Sequence, residues 1–148
     1  VATWQPLVEA MPDKKWLFTV SPIRHVKDGL HENHINKGIL LQAVEQLTKQ
    51  SGCSYFPAYE IMLDELRDYR YYAEDMVHPS SMAVEYIWQR LVETYMTADT
   101  QAEMKTLHQL WRDEHHRFIH PDSMEAKRFL ERLGQKKHEL QEDYPWIE

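Results

Sequence analysis

The chain has 148 residues, a length suited to one domain with a core of its own. Lys and Arg number 17 against 24 Asp and Glu, and the net charge of −7 argues against a phosphate-driven nucleic-acid binder. No apolar run nears the roughly 18 residues of a membrane span, and the single cysteine, Cys53, excludes an internal disulfide framework. With no secretory signal in view, a cytoplasmic protein is expected. Gly29, Gly38, Gly52 and Gly134 are spaced too widely for a dinucleotide fingerprint or a P-loop, and no cofactor is expected.

Trp4, Leu7, Val8 and Met11 recur at helical spacing until Pro12 and Asp13 interrupt. Trp16-Leu17-Phe18-Thr19-Val20 is a short apolar run, which fits a strand buried on both faces. A second strand is expected around Ser54-Tyr55-Phe56. Two short strands make a poor sheet, which hints at further strands, upstream of Val1. Ser21 to Asn33 reads as a polar loop, in the place where open α/β sheets hold ligands. A helix follows, with Ile35, Ile39, Leu40, Ala43, Val44 and Leu47 as an apolar stripe and Gly52 as its stop. Asn33 or Asn36 is a candidate cap for it.

Tyr59, Met62, Leu63 and Leu66 predict a short helix. Asp75 to Ser81 then makes a turn into a helix whose apolar face is Ala83, Val84, Ile87, Trp88, Leu91 and Tyr95, capped by Ser80 or Ser81. Thr100-Gln101-Ala102-Glu103 has the form of a capping box, opening a helix that carries Met104, Leu107, Leu110, Trp111 and Phe118 and ends at Pro121. Asp122 as N-cap and Glu125 at N3 predict another start, followed by Phe129, Leu130, Leu133 and Leu140. The last two helices read as an antiparallel hairpin, residues 99–148, appended to an α/β part over 1–98. Covering a hydrophobic face is the plain role for it.

The local signal with most chemistry is Asp75-x-x-His78 at the head of a helix. That spacing brings a carboxylate against one imidazole nitrogen and leaves the other, in a fixed tautomer, for a substrate. The plainer alternative is that both side chains bond backbone groups at the helix start. In the loop, Arg24 is suited to binding a carboxylate or phosphate and Asn33 to donating to an oxyanion; as plain structure, Arg24 is a solvated charge. Of the nine histidines, His116 and His120 lie four apart with Asp113 one turn earlier, and His31 pairs with His34. No His-Glu-x-x-His occurs, and no metal site is assigned.

Phe18-Thr19-Val20-Ser21-Pro22-Ile23-Arg24-His25, then Lys27-Asp28-Gly29, then Asn33 and Lys37, resemble the middle of the GSCFA family. So does the stretch from Tyr55-Phe56-Pro57-Ala58-Tyr59-Glu60 through Tyr69-Arg70 to Asp75-Met76-Val77-His78-Pro79-Ser80. The likeness covers roughly residues 1–96. GSCFA proteins are similar to the Ser-Gly-Asn-His hydrolases, flavodoxin-like α/β proteins that include esterases. The resemblance therefore implies a partial three-layer, helix-rich α/β fold with few strands. It implies His78 and Asp75 as base and acid of a triad, and Arg24, His25 and Asn33 as substrate contacts. The Gly-Ser-Cys-Phe-Ala motif and its nucleophile are absent: Ser21, Ser51, Ser54, Ser80, Ser81 and Ser123 all stand in other settings. Glu32 and His34, flanking Asn33, also depart from the family's pattern.

The expectation is thus the C-terminal part of an esterase-like protein, acting on a small ester once joined to a nucleophile, and inactive alone. The competing expectation is a non-catalytic binding module that associates with its own kind through an exposed sheet edge or the helical hairpin.

Overall fold

The computed structural model describes residues 1–147. The chain is a helix-rich α/β protein that divides into two compact units, Val1–Tyr95 and Met96–Glu148. In chain order the first unit holds α1 (Trp4–Ala10), β1 (Trp16–Thr19), α2 (Leu30–Leu47), β2 (Cys53–Phe56), α3 (Ala58–Glu60) and α4 (Ser81–Tyr95). The second holds α5 (Ala98–Glu114) and α6 (Met124–Asp143).

The strands pair in parallel, with Trp16 opposite Cys53 and Thr19 opposite Phe56. Parallel neighbours need a long crossover, and α2 supplies it. Gly52 prepares the second strand: its φ is 81° and its carbonyl accepts the Trp16 amide at 2.8 Å. On one face of β1, Trp16 and Phe18 meet Trp4 of α1 edge-on, at 6.2 and 5.7 Å between ring centroids. The other face corrects the expected double burial, because Leu17 and Thr19 are exposed. Beside them only Phe56 of that face is covered, by the edge of Tyr95 from α4.

The core gathers Phe56, Ala58, Ile61, Met62, Leu66 and Ala83, with Tyr71, Tyr72, Tyr86, Ile87 and Leu91 packed around it. The expected helix over 59–66 begins as α3 and widens into a π-turn over Ile61–Glu65, where the Leu66 amide reaches back to the Ile61 carbonyl at 3.0 Å. Such a turn holds one residue more than an α-turn. Ser80 is the residue that caps α4, its Oγ accepting the Ala83 amide at 3.3 Å. Val84 and Trp88 are exposed, so the buried side of α4 is the narrower stripe of Ala83, Ile87 and Leu91.

α2 departs most from its expected form. It starts at Leu30, directly after Gly29 at φ 86° and ψ 156°, so Asn33 lies inside the helix and neither asparagine caps it. Its buried residues are Asn33, Lys37 and Leu47, whereas Ile35, Ile39 and Leu40 are exposed. The reason is what each half of the helix touches. The end near Leu47 meets the sheet, and apolar side chains serve there. The beginning meets the 21–25 loop, whose backbone N–H and C=O groups require polar partners when buried.

In the second unit, ion pairs between Lys136 and Asp113 (3.6 Å) and between Lys137 and Glu114 (2.8 Å) join α5 to α6. α5 starts one turn earlier than the capping-box pattern indicates: Thr97 is its N-cap and accepts the Thr100 amide at 3.2 Å. It ends at Glu114, well before Pro121, and leaves Phe118 in the connection, edge-on to Phe129. Ser123, not Asp122, caps α6 by accepting the Ala126 amide at 3.1 Å. Both caps place a hydroxyl where the N3 amide can use it. No helix among the described residues is long and apolar enough to cross a membrane.

Candidate functional site

The turn after residue 72 is closed by an antiparallel bridge between Tyr72 and Pro79. Within it the Ala73 amide donates to the His78 carbonyl at 2.8 Å, and the Ser80 amide to Tyr71 at 2.7 Å. Asp75 organises the interior of this loop. Its Oδ1 accepts the amides of Val77 (2.9 Å) and His78 (3.0 Å), the pattern of an Asx turn. Its Oδ2 lies 2.6 Å from Nδ1 of His78. Both readings of the Asp-x-x-His spacing are therefore present in one residue, since one oxygen holds backbone and the other holds the ring.

A carboxylate only accepts, so Nδ1 is the donor in this contact and the neutral ring keeps its lone pair on Nε2. The His78 amide, then its ring, then the Val77 amide hold the Asp75 carboxyl down to about 2. The pair is open to water: the His78 side chain is 57% and the Asp75 side chain 49% exposed. Among the described residues, no serine hydroxyl or cysteine thiol is hydrogen-bonded to the ring.

Arg24 reaches this turn from the loop after β1. Its amide donates to the Val77 carbonyl and its Nη1 to the Met76 carbonyl, both at 3.2 Å. Its guanidinium lies 3.8 Å from the centroid of the Tyr72 ring. Met76, thus held, has a φ of 59°, a left-handed conformation that a non-glycine residue adopts only when its surroundings fix it. Arg24, Met62, Leu66, Tyr69 and Tyr72 belong to the lining of a cavity of about 310 Å³; His78 and Asp75 do not.

His25 and Asn33 also come together, through the His25 amide and the Asn33 Oδ1, 2.9 Å apart. This contact fixes which end of the carboxamide is the oxygen. One turn further along α2, Lys37 is 2% exposed, and its Nζ donates to the Ser21 carbonyl at 2.5 Å and lies 5.6 Å from the Tyr59 ring. Burial lowers its pKa. Lys37 carried no role in the sequence reading, yet its spacing of four from Asn33 is the signal that both share a helical face. Tyr55 was missed as well. Its hydroxyl contacts both carboxylate oxygens of Glu60 (3.0 and 2.7 Å), and burial followed by that bond raises its pKa. Those two residues line a separate cavity of about 360 Å³ against α2.

His120 lies beyond the end of α5, and His116 packs against Phe118 and Phe129, so the Asp113, His116 and His120 pattern is not one helical face. No group of three or more His, Cys, Asp or Glu side chains among the described residues is arranged to hold a metal ion.

No curated protein and no solved structure matches the chain. The model of the GSCFA family matches residues 2–91, a span that takes in β1, the 21–29 loop, β2 and the Asp75–His78 turn. With more than half of its length matched by that model, this chain belongs to the GSCFA family.

Proposed function

We propose that residues 1–98 are part of a flavodoxin-like α/β domain of the Ser-Gly-Asn-His hydrolase type, that 99–148 extend it, and that the whole serves hydrolysis of a small ester. The observation that carries this reading is the 2.6 Å contact between Asp75 and Nδ1 of His78. In it His78 is the general base: Nε2 takes the proton of an attacking hydroxyl and returns it to the leaving alcohol. Asp75 is the positioning acid, holding the tautomer and stabilising the imidazolium. Arg24 and His25 flank the acyl or leaving group. Asn33, its oxygen occupied by the His25 amide, offers Nδ2 to the developing oxyanion. The attacking hydroxyl in this reading is the serine of the Gly-Ser-Cys-Phe-Ala motif, which these residues do not contain.

The test is hydrolysis of an aryl acetate by the longest natural protein that contains these residues. His78→Ala is expected to cost about 10²–10⁴-fold in kcat/KM. Equal rates for the two proteins would remove His78 from the reaction.

A second reading is favoured by the exposed Ile35, Ile39 and Leu40 on α2 and by Trp111, Ile119 and Leu130 in the second unit. Under it the chain is a non-catalytic module that self-associates through apolar surface or the edge of its sheet. Light scattering that finds a monomer at high micromolar concentration would rule it out.

A further inference from the structure

We propose that Lys37 is a positioning residue for the Asp75–His78 pair, acting through the 21–25 loop and Arg24. The proposal rests on the hydrolase reading for what the pair does, and on contacts alone for how it is held.

An ammonium with almost no exposure is costly in any fold unless its bonds are used. The same helix leaves Ile39 58% exposed and covers Lys37, so the buried position is given to a cation and not to an apolar side chain. The charge instead goes to one backbone group, the Ser21 carbonyl at 2.5 Å, with the Tyr59 ring on another side. Ser21 is where the chain leaves the sheet region and the loop begins. Four residues on, the His25 amide is held by Asn33, one turn earlier on α2. The loop is thus pinned at both ends by a single helical face.

Between the two pins lies Arg24. Its amide and guanidinium bond the carbonyls of Val77 and Met76, the two residues that separate Asp75 from His78. The left-handed Met76 is the point at which the turn needs to be held. The series runs from Lys37 to Ser21, along the backbone through Ile23, whose amide donates to the Ser21 hydroxyl at 3.3 Å, to Arg24, and from there by hydrogen bonds to Met76 and Val77, which lie between the acid and the imidazole. The two ends of this series are hydrogen bonds and its middle is three residues of backbone, so a shift of the loop at Ser21 is carried to Arg24 and felt as a loosening of the turn. A lysine that only completes the packing beneath the loop would leave the turn indifferent to its removal.

Lys37→Met removes the donor and keeps most of the volume. NMR of this chain reads the outcome without any substrate: the tautomer of the His78 ring from its ¹⁵N shifts, and the titration of the Asp75 carboxyl. In the native chain the Nδ1–H form is expected to dominate. In Lys37→Met, with far-UV circular dichroism unchanged, the ring is expected to become a mixture of tautomers and the Asp75 midpoint to rise by about half a pH unit or more. Arg24→Met should produce the same changes, and the double variant no more than the larger single one, as for members of one series. A Lys37→Met protein of altered stability whose His78 and Asp75 signals match the native chain would overturn the proposal, as would additive effects in the double variant. Should Lys37→Met fail to fold, Arg24→Met decides alone, because an unmoved pair there breaks the series. Absence of esterase activity in the longer protein would sink the hydrolase reading and leave these spectra standing.

Discussion

Arg24 and Met76 are 52 residues apart in sequence, and a hydrogen bond of 3.2 Å from guanidinium to carbonyl, beside that of the Arg24 amide to Val77, joins the loop after β1 to the turn that bears Asp75 and His78. The guanidinium is also stacked on Tyr72 at 3.8 Å. An arginine that reads either as a ligand-binding group or as a solvated charge is, in the folded chain, occupied by the Val77 and Met76 carbonyls and the Tyr72 ring.

Asp75→Asn keeps an acceptor for the Val77 and His78 amides but no longer needs Nδ1 as the donor. The ring is then expected to populate both tautomers, measurable by ¹⁵N NMR. On the proposed hydrolase reading, kcat of a natural protein that carries this turn together with its nucleophile should fall by about 10²–10⁴-fold, as for loss of an oriented base.

The pH dependence of the same residue has a definite sign. A carboxyl near 3.9 in the unfolded chain and held at about 2 in the folded one binds fewer protons when folded. Its contribution to stability is complete above pH 4 and is lost as pH falls toward 2. The difference in Tm between the native chain and Asp75→Asn should therefore shrink across that interval and be flat above it. A difference that grows on acidification would contradict the assignment.

Gly29 adopts φ 86° and ψ 156° at the start of α2, a region open to little but glycine. A Cβ there would meet no atom within 4 Å, so the cost of Gly29→Ala is conformational alone, about 1–3 kcal/mol. Gly52→Ala carries a similar strain at φ 81° and adds a 3.3 Å approach to the Lys14 carbonyl. Urea unfolding should show both variants destabilised, Gly52→Ala the more.

Met62, 1% exposed, is a large and fully covered side chain of the core and sits in the π-turn. Met62→Ala should cost about 2–5 kcal/mol. Ile39→Ser, on the exposed side of α2, should stay within about 0.5 kcal/mol. Similar losses for the two would mean that α2 buries a different face.

Ser123→Ala should cost α6 about 0.5–2 kcal/mol through loss of the bond to the Ala126 amide, whereas Asp122→Ala should cost little. Thermal unfolding followed by circular dichroism separates the two.

The parts of this molecule that were legible in its sequence are those governed by near neighbours. The runs around Phe18 and Tyr55 announced β1 and β2 because aromatic and β-branched residues were concentrated there. The meeting of Asp75 with His78 was legible because three residues of turn suffice to produce it. What failed were inferences that counted apolar residues as buried ones. Ile35 and Ile39 are exposed while Asn33 and Lys37 are covered, because the element opposite them is a loop with backbone groups to satisfy and not a sheet. Local pattern carries no record of such a partner. The same holds for Tyr55 and Glu60, whose contact is set by the bend from β2 into α3 rather than by any helical or strand period.

Every rung between β1 and β2 joins residues on opposite sides of the long α2 crossover. No part of that ladder can form early by itself, since the entropy of closing so large a loop precedes the first bond. The α5–α6 pair, by contrast, is joined by a short connection and closed by contacts of modest sequence separation. Refolding from urea is accordingly expected in two phases: a fast one reported by the hairpin's Trp111, and a slower one by Trp16 when the sheet zips.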